Sequence, residues 1–261
     1  MHETGERPAP ASPLDRDRGL VIGALLIMVT LCWSWIVPMA RDMYGPMTGS
    51  AAWMMTTRWD WPHLMLLFAM WSAMMAGMML PSTLPTVLLY ASSIRSEPAA
   101  PRAGIRVYAF VAGYVFVWTL FSVAATIAQR VMTDRLLLTP MMEPATPGLA
   151  AGLLLAAGAY QLLPIKRTCL ASCRSRAEFL TWRRNPGVAR AFRAGVQHGR
   201  SCLACNWALM LLLFASGVMN LAAIAALTGI VLLEKVAPFG MRTPAVSGGL
   251  LVGLALWILA R

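Results

Sequence analysis

The sequence predicts an all-α fold, a polytopic transmembrane helical bundle with seven spans, and three observations carry that expectation. Of 261 residues, 58% are hydrophobic and 13% charged, where a soluble domain carries about 25% charged residues; mean hydropathy is +0.63. Apolar runs long enough to cross a hydrocarbon core of about 30 Å, roughly 20 helical residues, recur along nearly the whole chain. The net charge of +11 is spread between those runs, so it reads as a topology signal and not as a nucleic-acid-binding unit.

Residues 1–18 are polar, Pro-rich and mixed in charge, and are expected to form a disordered cytoplasmic tail ahead of a single transmembrane domain, 19–261. The spans are expected near 19–39, 63–89, 105–128, 148–164, 203–217, 219–235 and 245–260. Gly217 and Asn220 in ASGVMNL mark a tight turn that divides the long apolar stretch 203–236 into two. A six-span alternative keeps that stretch as one tilted helix. With a cytoplasmic N-terminus, 17 of the 22 Lys and Arg residues fall on the inner side, nine of them in a basic cytoplasmic loop, 165–201. This is the positive-inside pattern of an inner (cytoplasmic) membrane protein. The outer loop 40–62 carries Trp53, Trp59 and Trp61 as an interfacial belt, with Met43, Met47, Met54 and Met55 beside them. A second outer loop carries Met141, Met142 and Glu143.

Four of five cysteines form two pairs, Cys169/Cys173 and Cys202/Cys205, that bracket the basic loop. Residues three or four apart share a helix face, so each pair can aim two sulfurs at one point. Cytoplasmic thiols stay reduced, and Lys166, Arg167, Arg174 and Arg200 favour the thiolate form that binds metal. His198, four residues before Cys202, can add a nitrogen ligand or handle a proton. Four thiolates suit tetrahedral Zn(II), an iron–sulfur cluster, or one or more Cu(I) ions. Cys32 reads as a small packing residue.

In the second span, Met70, Met74 and Met78 are spaced by four, and Met75 and Met79 form a second stripe. Two adjacent stripes of thioethers can line a soft-metal path, with Gly77 allowing close helix approach and Pro81 and Pro85 freeing carbonyls. The same stripes also suit adaptable packing, which is the plainer reading. Glu234 beside Lys235 reads as a neutralised pair at the cytoplasmic boundary, His63 as an interfacial group, and Gln161 as an interhelical hydrogen-bonding residue.

The strings WSAMMAGMMLPSTLP, CLASCR, GVQHGRSCLACNWALM, GVMN and EK, in that order across roughly residues 60–240, resemble the signatures of the domain of unknown function 2182 family. Its members are predicted metal-binding integral membrane proteins of bacteria, some labelled copper chaperones. The resemblance implies metal binding with copper favoured. It highlights Met74, Met75, Met78, Met79, Pro81, Cys169, Cys173, Cys202, Cys205, Trp207, Asn220, Glu234 and Lys235. The chain departs from that pattern at Asn206, where a further cysteine is expected before the tryptophan.

The function expected is therefore soft-metal handling at the inner membrane. Cys169, Cys173, Cys202, Cys205 and His198 form the site, and Met74, Met75, Met78 and Met79 the path. No catalytic residue is assigned. The expected partners are the metal ion, membrane lipid and a soluble metal-donor or acceptor protein; nucleic acid is not among them. Two alternatives are a membrane thiol oxidoreductase using the CxxC pair and a noncatalytic scaffold holding a structural zinc.

Overall fold

In the computed structural model the described residues are 13–45, 60–95, 103–174 and 187–261. The tail 1–12 and the loop residues Met47, Trp53, Met54, Met55 and Trp59 lie outside them. Among the described residues the regular structure is helical: α1 Pro13–Met43, α2 Trp61–Arg95, α3 Ala103–Asp134, α4 Pro147–Leu162, α5 Pro164–Arg174, α6 Val188–Ser216, α7 Leu221–Val236 and α8 Thr243–Leu259.

The helices α1, α2, α3 and α6 are long and apolar enough to cross a membrane, and a fifth span follows if α4 and α5, bent by 64° where they meet, count as one. Of the seven spans expected, four or five meet that length among the described residues. The reason is the shortness of α7 and α8, with 16 and 17 residues, or about 24 and 26 Å at 1.5 Å per residue. Both are bounded by breakers: Asn220 caps α7 by accepting from the Ala223 N–H at 3.1 Å, and Pro244 opens α8. The division at Gly217–Asn220 is present, with Gly217 at φ +89°, a conformation that glycine adopts without a Cβ penalty.

Other boundaries move outward. Helix α1 starts at Pro13, where residues up to 18 had been expected to be disordered, because proline's fixed φ suits a first helical turn. The described residues of the segment 165–201 are mostly helical, as α5 and the first half of α6. Its basic residues alternate with small apolar ones at helical spacing, so hydropathy averaging hides an amphipathic helix. Along α6, Ala191, Ala194, Gly195, His198, Gly199, Cys202, Cys205 and Asn206 are buried, while Arg190, Arg193 and Arg200 on the opposite face are exposed.

Close backbone packing holds α3 to α6. A Cβ on Gly195 would run into the Phe110 carbonyl, one on Gly113 into the Phe192 carbonyl, and one on Gly199 would sit 2.9 Å from Val117. Such small-residue contacts let helices pack where there is no hydrophobic drive from water. Helix α8 meets α4 similarly at Gly248 and Gly158, 3.0 Å from each other's carbonyls by the same measure. Helix α2 lies between α1 and α3 and also touches α7. Pro81 has no N–H for the Gly77 carbonyl, and Trp33 of α1 supplies one instead, Nε1 donating at 3.3 Å. Outside this core, Leu26, Ile27, Leu31, Phe116, Leu120, Ile127, Leu250 and Leu254 stand exposed. A mantle of this extent suits lipid contact.

Candidate functional site: a buried thiol cluster

The turn at 217–220 reverses the chain, so residues about equally far from it on α6 and α7 come level. Cys202 and Lys235 are such a pair: Lys235 Nζ donates to Cys202 Sγ at 2.7 Å and to Ser82 Oγ on α2 at 3.0 Å. From α3, the Tyr114 hydroxyl stands 3.1 Å from the same sulfur and donates to the Met79 carbonyl at 3.3 Å. From α5, Cys173 is within hydrogen-bonding reach of both Cys202 and Cys205. Groups of α3, α5 and α7 therefore surround the sulfur that α6 carries, and α2 joins them through Lys235. Cys202 and Cys205 are fully buried and Cys173 nearly so, and all are free thiols.

Asn206, one turn beyond Cys202, donates from Nδ2 to the Cys202 carbonyl at 2.8 Å, with Sγ a further 3.8 Å contact. Its Oδ1 is buried without a hydrogen-bond partner. A second buried network abuts the thiols. Lys166 of α5 pairs with Glu234 at 2.7 Å, both side chains wholly inaccessible, and also donates to the Cys205 carbonyl at 2.6 Å. Gln161 Nε2 donates to Glu234 Oε1 at 2.8 Å and to Ser247 Oγ at 3.1 Å. Arg174 completes it from Nη1 and Nη2 to the carbonyls of Glu234 and Ala237, at 2.6 and 2.9 Å. Lys166 and Glu234 are thus both paired and hydrogen-bonded, as buried charges require.

The expectation that Glu234 neutralises Lys235 fails for a geometric reason: adjacent residues on a helix point about 100° apart. Glu234 faces Lys166, and Lys235 faces Cys202. Cys202 also lies at the middle of α6, not at a helix end. Cys169 is half-buried and lines a groove on the outer side of α5. His198 is buried between aromatic rings, its centroid 6.0 Å from Phe110 and 5.6 Å from Tyr114. Among the described residues, no three of His, Cys, Asp and Glu surround a point as a ready-made metal site. The thiols instead meet pairwise, Cys173 with Cys202 and Cys173 with Cys205.

Met70, Met74, Met75, Met78 and Met79 are all buried. Ser82, one turn past Met78 and Met79, shares Lys235 with Cys202, so the Met78–Met79 end of the methionine stripes reaches the thiol cluster. At the other end of the bundle Met142 is buried and Met141 half-buried. The Met142 carbonyl accepts from the Val218 N–H at 3.2 Å, and Tyr44 of the α1 end donates to Glu143 at 3.1 Å. Sequence reasoning missed Tyr114 and Ser82, ordinary residues in apolar helices. It missed also Lys166 as the partner of Glu234, although an acid with no base one helical turn away was a usable signal.

Fold and site together define an all-helical protein of long apolar helices that buries a cluster of free thiols suited to a soft metal ion. Residues 68–258 match the PpoB2 family, described as a copper chaperone, and the chain belongs to that family. The family identity supports copper as the metal handled and gives no support to zinc. Neither the search of curated proteins nor that of solved structures returned a match.

Proposed function

We propose that the protein binds Cu(I) as cargo within a bacterial inner membrane and passes it along an internal route. Cys202 is the central ligand, Cys173 or Cys205 the second, and the Met70/Met74/Met78 and Met75/Met79 stripes the path. The observation that carries this reading is the position of Cys202: in contact with Cys173, beside a lysine, and joined through Ser82 to the inner end of the methionine stripes. Two thiolates and one Cu(I) make a complex of charge −1, and Lys235 supplies the compensating charge in a low-dielectric interior. His198 packs behind Cys202 and keeps α3 and α6 in register. The N-terminus is cytoplasmic and α7 and α8 complete a seven-span bundle.

Anaerobic titration of purified protein with a competing Cu(I) chelator tests the site. Wild type is expected to hold Cu(I), and Cys202→Ser with Cys205→Ser to lose it; unchanged stoichiometry and affinity would sink the assignment. A second reading, a thiol oxidoreductase, is favoured by the contact of Cys173 with Cys202, since two neighbouring thiols can be oxidised to a disulfide. Alkylation trapping separates the two: a Cys173–Cys202 disulfide that interconverts with the thiols marks redox use, and cysteines that stay reduced remove it.

A further inference from the structure

On the side of α6 away from the thiol cluster, a groove of about 970 Å³ runs between α3, α5 and α6. That volume is at the upper end for ligand pockets, roughly 300–1,000 Å³. Its lining changes character along its length. Arg193, Gln197 and Arg200, exposed and one helical turn apart on α6, form a cationic, hydrogen-bonding end, with Ser172 of α5 among the lining residues. Leu203, Trp207 and Phe121 of α3 form an apolar end, where Trp207 is fixed edge-to-face on Tyr160 at 5.2 Å between ring centroids. Among the described residues no carboxylate lines the groove. From Arg193 to Trp207 the helix rises about 21 Å, more than the roughly 15 Å depth of one leaflet's hydrocarbon.

We infer that this groove is a binding site for one anionic phospholipid. The phosphate would lie on Arg193 and Arg200 and one acyl chain against Leu203, Phe121 and Trp207. Two guanidiniums with a hydrogen-bonding amide match a phosphodiester. The apolar end lies on helices long enough to span a bilayer, which selects an amphiphile over a free anion and over an acidic soluble protein. The inference rests on the membrane reading of the proposed function and is independent of the copper site.

Full-length protein is reconstituted into nanodiscs of phosphatidylcholine containing a small fraction of phosphatidylglycerol, then extracted, and the co-purifying lipid is identified by native mass spectrometry. Wild type is expected to retain one phosphatidylglycerol in preference to phosphatidylcholine. At about fivefold per arginine, Arg193→Gln with Arg200→Gln is expected to lower that preference about 25-fold, while Arg135→Gln, outside the groove, leaves it unchanged. Equal retention by wild type and the double variant, or no preference in wild type, overturns the lipid site. Wild-type preference abolished by millimolar inorganic phosphate overturns it too, by showing a simple anion site. Failure of wild type to enter the bilayer overturns the membrane reading itself, an outcome distinct from entry without lipid preference.

Discussion

Lys235 and Glu234 are neighbours in sequence that serve separate networks, and the thiol cluster depends on that separation. Because Lys235 contacts the sulfur of Cys202, Lys235→Gln is expected to leave the ligands in place and lower Cu(I) affinity by about 10- to 100-fold, the usual effect of removing a partner of a metal ligand. Competition titration checks this, and an affinity within twofold of wild type would show the lysine to be incidental. The Lys166–Glu234 pair, at 2.7 Å and inaccessible, predicts a different outcome. Lys166→Met strands a buried carboxylate and is expected to cost about 3–5 kcal/mol, whereas Lys166→Met with Glu234→Leu recovers most of it. Thermal unfolding in detergent of both variants measures the difference.

At the scale of helices, the position of Cys202 is decided by glycine contacts several residues away. A methyl group at Gly195 would collide with the Phe110 carbonyl and push α6 off α3, so Gly195→Ala is expected to destabilise the fold by about 1–3 kcal/mol. Gly249→Ala, which meets nothing within 4 Å, is the matched control and should be silent in the same melting assay. The methionine stripes of α2 make a separate prediction. Met74→Leu with Met78→Leu keeps their burial and volume but removes two thioethers, so stability should hold while copper flux into proteoliposomes falls. Equal flux would leave the stripes as packing. The α6–α7 hairpin brings Lys235 level with Cys202 through its turn, and Asn220→Ala, which removes the cap on Ala223, should cost about 1 kcal/mol.

For the molecule as a whole, much was legible in the chain because long apolar helices announce themselves by composition. The all-helical class, the apolar α1, α2, α3 and α6, and the turn at Gly217–Asn220 all follow from hydropathy and breaker residues. Helix ends were less legible: α6 begins fifteen residues before the apolar run predicted at 203, since its arginines and small residues alternate around the helix and average to neither core nor surface. Neither the meeting of thiols nor the pairing of charges was legible as spacing: Cys173 reaches Cys202 and Cys205, while Cys169, four residues before it, lines the groove. Glu234 and Lys235 look self-sufficient in one dimension, and only the antiparallel return of α7 against α6, with α5 folded beneath, sends one to Lys166 and the other to Cys202. By itself the sequence determined the class of fold and the residue types available for soft-metal chemistry, because periodicity and side-chain chemistry are local properties. Which sulfur became central, which cation accompanies it and which cysteine stands apart at the groove were decided by tertiary structure, since each depends on contacts between helices that only packing brings together.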